Sequence, residues 1–276
     1  MKKINYLLYF TIFIVLFTSC DEYNPWDPKN SVPFICEPEI PTKISNSNYI
    51  YITHTATLNN KKVRNYSMCF DKTKFAALWV AYPLHPCYRG ASPRTDDWAY
   101  DPKISSSYQV NTRGYSTYGY TRGHQIPSAD RLATEELNKQ TFYMSNMTPQ
   151  PYDLNSGLWA DLENQIRAKY MCYDTLYVVT GAHWDNTNTK VGQYPVPTHY
   201  YKVLLRTRKG TTGKSVFRAF PDELKCIGFW ISSSASGDMN SSYCKSVAEI
   251  EKLTGFEFFP EVDVDKTQCV ISDWGY

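Results

Sequence analysis

From residue 47 to about 270 the chain alternates short apolar and aromatic runs with clusters of Asn, Gly, Pro and Ser. Tyr49-Ile50-Tyr51-Ile52-Thr53 and Tyr66-Ser67-Met68-Cys69-Phe70 read as two paired strands turning at Asn59-Asn60-Lys61. A third run, Ala76 to Tyr82, is stopped by Pro83, and residues 176–181 form a short buried strand. Residues 199–207 and 215–220 predict a hairpin around Gly210-Thr211-Thr212-Gly213. Helical periodicity is scarcer. Residues 134–141 and 246–254 are short helices, and 154–170 is the long one. Leu158, Leu162, Ile166 and Tyr170 recur there every four residues, the stripe of a core-facing helix, with Asp153 or Asn155 available to cap its start. The pattern predicts a single α+β domain with a mixed or antiparallel β-sheet core and neither an internal repeat nor an interior linker.

The N-terminus follows a different rule. Lys2 and Lys3 precede an apolar run from Tyr6 to Phe17, too short to span a bilayer and placed where a secretory signal belongs. Leu16-Phe17-Thr18-Ser19-Cys20 resembles a bacterial lipobox. That resemblance implies cleavage before Cys20 and a lipid on its sulfur; the alternative is plain secretion with Cys20 in a disulfide. The expected organisation is a lipoprotein signal peptide at 1–19, a lipid-anchored tether rich in Pro, Asn, Asp and Ser at 20–46, and a folded domain at 47–276. Such a protein is exported and held on a cell-envelope membrane, the outer membrane or cell surface being favoured.

Composition narrows the class. Hydrophobic residues make up 42% and aromatic residues 16% of the 276, enough for a sizeable core, which excludes a disordered or collagen-like chain. Lys+Arg number 29 and Asp+Glu 27; loss of Lys2 and Lys3 with the signal leaves 27 of each, so the exported form is neutral. An anionic partner must then be met by a local basic patch. Cys20 aside, seven cysteines remain: Cys36, Cys69, Cys87, Cys172, Cys226, Cys244 and Cys269. Export makes disulfides expected, with at least one thiol left over and a modest loop closed by any bridge within 226–269. No Cys/His spacing suits structural zinc. Gly213-Lys214-Ser215 imitates the end of a phosphate-binding loop, but Arg208 stands where its leading glycine is required.

Candidate chemistry concentrates in 121–167. His124, beside Arg122 and Gly123, is of the type that serves as a general base. Asn155 and Glu163 lie eight residues apart, about 12 Å along a helix, and helical side chains lean toward the N-terminus. Glu163 could reach back toward an ion on Asn155, and oxygen donors of this kind suit Mg²⁺ or Ca²⁺. A capping Asn and a surface Glu are the alternative from spacing alone.

Thr121-Arg122-Gly123-His124, Ser145-Asn146 with Pro149-Gln150, and Leu154-Asn155 with Trp159 and Leu162-Glu163 resemble the ββα-metal motif of the DNA/RNA non-specific endonuclease family. Blocks upstream (Leu78 to Tyr82, Arg94 to Pro102) and downstream (Pro197 to Val203, Ile250 to Phe256) extend the resemblance over about 50–265. It implies a fold in which the motif feeds a long catalytic helix, and a single-metal phosphodiesterase acting on DNA and RNA. In that scheme His124 is the general base and Asn155 the direct ligand of a hydrated Mg²⁺, with Mn²⁺ or Ca²⁺ as substitutes. Glu163 holds the ion's hydration shell, Asn146 orients the site, and Arg94 and Arg122 stabilise transition-state charge. The resemblance also implies 5′-phosphate products, weak sequence preference because contacts go to phosphate, and a homodimer as a common assembly. Thr121 departs from the family's usual Asp. Two other functions are compatible with the chain: a catalytically weak nuclease-fold lipoprotein that binds nucleic acid, supported by Thr121, and an adhesive surface protein.

Overall fold

The computed structural model describes residues 37–109, 111–185 and 189–276. The signal segment, Cys20, Cys36 and residues 20–36 of the tether lie outside the described residues. The chain opens with the expected hairpin, β1 (Tyr49–Leu58) and β2 (Lys61–Asp71). Asn59 and Asn60 both hold positive φ, 50° and 60°, as a two-residue turn matched to strand twist requires, and Asn tolerates that region better than most residues. β3 (Ala76–Leu84) follows and runs through Pro83 rather than stopping at it. The chain then leaves the sheet to build β4 (Tyr120–His124), α1 (Glu135–Gln140), β5 (Met147–Pro151), α2 (Tyr152–Ser156) and α3 (Leu158–Gln165). It returns as β6 (Leu176–His183), makes a small hairpin of β7 (Lys190–Val191) and β8 (Tyr194–Pro195), and continues into β9 (His199–Thr207) and β10 (Leu224–Ser232). β11 (Cys244–Lys245) and α4 (Val247–Thr254) close the fold.

The main sheet has seven strands in the order β1-β2-β3-β6-β9-β10-β11, every neighbouring pair antiparallel. Both of its faces are covered. Leu176, Val178, Tyr200 and Leu204 point to one side, where α3 supplies Leu158, Trp159 and Leu162. Tyr177, Val179, Tyr201 and Val203 point to the other, against Val247 and Ile250 of α4 and Phe256 to Phe259. This is the period-two alternation of a sheet buried on both sides. α4 starts with a reciprocal capping box between Ser246 and Glu249 and ends on Gly255 at φ +75°.

Several expectations change. The strand paired with 199–207 is β10, not 215–220. The Asp174 carboxylate ties down the intervening loop, accepting from the amides of Thr212 and Gly213 and from the Thr207 hydroxyl. An acid therefore occupies the place where a phosphate-binding loop would seat its anion. The long helix over 154–170 is in three pieces: α2 and α3 meet at Gly157 (φ −105°, ψ −115°), and Ile166–Tyr170 is a π turn. Neither Asp153 nor Asn155 caps it, because α2 begins at Tyr152 behind Pro151. Residues 37–46, expected to belong to the tether, lie against the domain. Ile40 and Ile44 pack on the core, Glu39 is buried beside Arg64, and the Thr42 amide donates to the Glu257 carbonyl. Finally, the six described cysteines are free thiols, with Cys69 buried on β2, Cys226 on β10 and Cys172 in the loop before β6.

Candidate active site

Strands β4 and β5 form a separate two-stranded ribbon, with Thr121 opposite Gln150 and His124 opposite Met147. The ribbon hands directly to α2 and α3, so strand, strand and helix bring three parts of the motif together. Gly123 has to be glycine: a Cβ there would sit 2.3 Å from Gln150 Oε1 and 2.7 Å from Gln150 Cβ. The chain after His124 is clamped by Asn146, which is fully buried. Its backbone carbonyl accepts from the Gln125 amide and its Oδ1 from the Ile126 amide, while Nδ2 donates to the carbonyls of Ile126 and Thr141. Asn146 thus holds the backbone after His124 from behind and does not line the cleft.

Arg94, Arg122, His124, Asn155 and Glu163 all line one cleft of about 490 Å³. The His124 ring sits edge-on to Trp98 and Phe142, centroids 5.5 and 5.2 Å away. Its Nε2 is sealed from solvent and has no hydrogen-bond partner. Burial first, then the positive charges of Arg94 and Arg122, push its pKa down to about 3, against a backbone hydrogen bond to Arg122 that works the other way. His124 is therefore neutral at physiological pH. The Arg122 guanidinium lies 3.6 Å over the Trp98 ring, and Arg94 is held by Asp96 (2.8 Å) and by the Ser128 hydroxyl (2.8 Å). Stacking and pairing fix both cations without consuming all their donors.

Asn155 is oriented by the residue that departs from the family pattern. Its Nδ2 donates to Thr121 Oγ1 at 3.0 Å, and that hydroxyl donates onward to the Gln150 carbonyl at 2.9 Å. With the amide nitrogen committed, Oδ1 accepts no hydrogen bond from the described residues and is free for a ligand. Glu163 lies deeper and burial raises its pKa to about 7, opposed by Lys202 and Arg167. Among the described residues no three His, Cys, Asp or Glu side chains cluster as a metal cage. A cation held by one amide oxygen and one nearby carboxylate would keep most of its water, which fits a hard ion such as Mg²⁺.

The cleft also contains residues that the sequence did not single out. Trp98 supports both Arg122 and His124. Arg113 adds a third guanidinium to the lining. Lys202 and Arg167 stand behind Glu163, and Lys202 had a signal: one lysine set within the apolar and aromatic run Tyr200 to Leu205. The three arginines concentrate positive charge in one cleft of a chain whose net charge is only +2.

Residues 45–265 match the family model described as DNA/RNA non-specific endonuclease. A nuclease of Nostoc sp. is 30% identical over 231 residues, covering 80% of this chain and 77% of that protein. The mitochondrial nuclease EXOG of Xenopus laevis is 29% identical over 216 residues (73% and 58% of the two chains), and human mitochondrial endonuclease G 30% over 164 (54% and 55%). The chain thus spans little more than half the length of these two mitochondrial proteins. A crystal structure of an EndoG/EndoGI complex superposes with a TM-score of 0.61 at 20% identity, over 79% of this chain and 91% of that one, and shows the same fold.

Proposed function

The chain belongs to the DNA/RNA non-specific endonuclease family, and from that premise we propose that it hydrolyses phosphodiester bonds of DNA and RNA with little sequence preference, His124 acting as general base beside one hydrated divalent cation. The observation that carries the base assignment is the His124 imidazole itself: held neutral on the wall of a cleft that it shares with two fixed guanidiniums. A phosphodiester entering between Arg94 and Arg122 offsets the two positive charges that depress the proton affinity of His124. Substrate itself therefore strengthens the base. His124 takes a proton from water, the oxygen attacks phosphorus, and the bond to the 3′ oxygen breaks; that oxygen picks up a proton from solvent, leaving a 3′-hydroxyl and a 5′-phosphate. Arg94 and Arg122 hold the non-bridging oxygens as charge accumulates. Asn155 Oδ1, with Glu163, would hold the cation, which when bound neutralises charge on the phosphate and the departing oxygen.

Thr121 does not argue for a merely binding protein, because its hydroxyl accepts the Asn155 amide and keeps the ligand oxygen free. The test is digestion of plasmid and RNA by the full chain in detergent, with Mg²⁺ or with EDTA, followed by end analysis. Metal-dependent products that a ligase can rejoin support the mechanism; EDTA-resistant cleavage or 3′-phosphate ends overturn it. We further place the enzyme on a bacterial envelope membrane through lipid on Cys20. Cys20→Ser should move it from the membrane to the soluble fraction, and retention on the membrane would refute the anchor.

A further inference from the structure

Lys202 occupies a position where an apolar side chain would be ordinary. It lies on β9 between Tyr200 and Leu204, on the sheet face that α3 covers, and is fully buried. An ammonium taken out of water is costly unless its charge is matched. Its Nζ donates to Thr180 Oγ1 at 3.1 Å, lies 4.5 Å from the centre of the Trp159 ring, and stands 3.7 Å from Glu163 Oε1. The other oxygen, Glu163 Oε2, faces Arg167 Nη1 at 3.9 Å. Arg167 Nη1 is itself bound to Asp130 Oδ1 at 3.0 Å, and Asp130 Oδ2 accepts from the Tyr82 hydroxyl at 3.0 Å. Two cations and two anions thus form a neutral cluster beneath the cleft, and of the four only Glu163 reaches the lining.

The distances matter. At 3.7 and 3.9 Å the two cations attract the carboxylate without direct hydrogen bonds to it. The lone pairs of Glu163 stay available to the cleft. From this geometry we propose that Lys202, backed by Arg167 and Asp130, is a positioning residue that holds the Glu163 carboxylate as a fixed anion ready to receive a hydrated divalent cation. The inference rests on the cation site assigned above. A purely structural ion pair would need neither an open carboxylate nor a place on the cleft wall.

Lys202→Met removes the charge and keeps the length. The measurement is Mn²⁺ binding to the full chain in detergent by titration calorimetry, with thermal midpoint and Mg²⁺-dependent cleavage recorded in parallel. The expected result is at least a tenfold weaker Mn²⁺ dissociation constant, partial recovery in Lys202→Arg, and no further loss when Lys202→Met is added to Glu163→Gln. Native Mn²⁺ affinity in folded Lys202→Met, or losses that multiply in the double variant, would overturn it. If Lys202→Met does not fold, Arg167→Met at the outer edge of the cluster is read against the same criteria. Wild-type protein that binds no cation overturns both this inference and the mechanism it rests on. Wild-type protein that binds Mn²⁺ but does not cleave overturns the mechanism alone, and the variants still decide the role of Lys202.

Discussion

Replacing Thr121 by Val separates a positioning hydroxyl from a catalytic one. The shape is kept, but the acceptor for Asn155 Nδ2 and the donor to the Gln150 carbonyl are both lost. Each neutral hydrogen bond contributes about 0.5–1.5 kcal/mol net, so the variant should be about 1–3 kcal/mol less stable. The effect on cation binding is smaller. A bond of about 1 kcal/mol biases the two amide orientations of Asn155 roughly fivefold, so Oδ1 faces the cleft about 85% of the time. Without it the two orientations approach equality, and cation affinity falls about twofold. Asn155→Ala removes the ligand itself and should cost more than about 100-fold. Urea unfolding gives the first quantity and Mg²⁺ titration of plasmid cleavage the second. A folded Thr121→Val variant as inactive as Asn155→Ala would refute this reasoning, since the hydroxyl would then have to act on substrate or cation directly. Thr121→Asp keeps an acceptor for Asn155 but loses the donor to Gln150, and should cleave within about tenfold of wild type. A sharp rise in its turnover would show that Thr holds the native site below its capacity.

Other consequences are simpler to read. Gly157→Ala would place a Cβ 2.5 Å from the Asp153 carbonyl oxygen, in a backbone conformation that already interrupts the helix. It should destabilise the fold by about 1–3 kcal/mol in denaturant titration and weaken cleavage by shifting Asn155 against Glu163. Because burial raises the Glu163 pKa to about 7, divalent-cation affinity should fall as pH drops below 7, and calorimetric Mn²⁺ binding from pH 5.5 to 8 would show it. The same shift has the opposite sign for the cation-free protein. Its folded state takes up the proton more readily than the unfolded one, so this group favours folding below about pH 4.5 and the gain is lost as pH rises through 7. His124 works the other way: its pKa is lowered to about 3 in the folded state, so folding must expel a proton below its ordinary value of about 6.5, and that cost fades as pH rises to 6.5. Arg113→Ala should weaken binding of DNA and RNA alike and lower the slope of log affinity against log salt by about one, read by fluorescence anisotropy.

Much of this was legible along the chain because local chemistry and tertiary fold agree. The Asn-Asn turn, the alternation of β6 and β9, and the Ser246 box at α4 each follow from rules that act within a few residues. β10 is not legible as the partner of β9 because Gly210–Gly213 imitates a hairpin turn, whereas the Asp174 network fills 208–223 with an ordered loop. Gly228 also interrupts that strand's apolar run, for a reason visible only in three dimensions: Ile250 of α4 packs where its Cβ would be. The break at Gly157 was hidden by a four-residue stripe that stays in register across it. At the site, Arg113 had no telling pattern although it lines the cleft, whereas Arg94, Arg122, His124, Asn155 and Glu163 were readable from theirs. Those that hold them, Trp98 under Arg122 and Lys202 under Glu163, come from distant segments and needed the fold.

The most direct test compares His124→Ala with wild type in Mg²⁺-dependent cleavage of supercoiled plasmid at pH 8, with melting and Mn²⁺ affinity as controls. General-base catalysis contributes about 10²–10⁴ in rate, so the variant should lose at least about 100-fold while both controls stay unchanged. Cleavage by His124→Ala within about tenfold of wild type, with the controls intact, would contradict the account by showing that His124 does not take the proton.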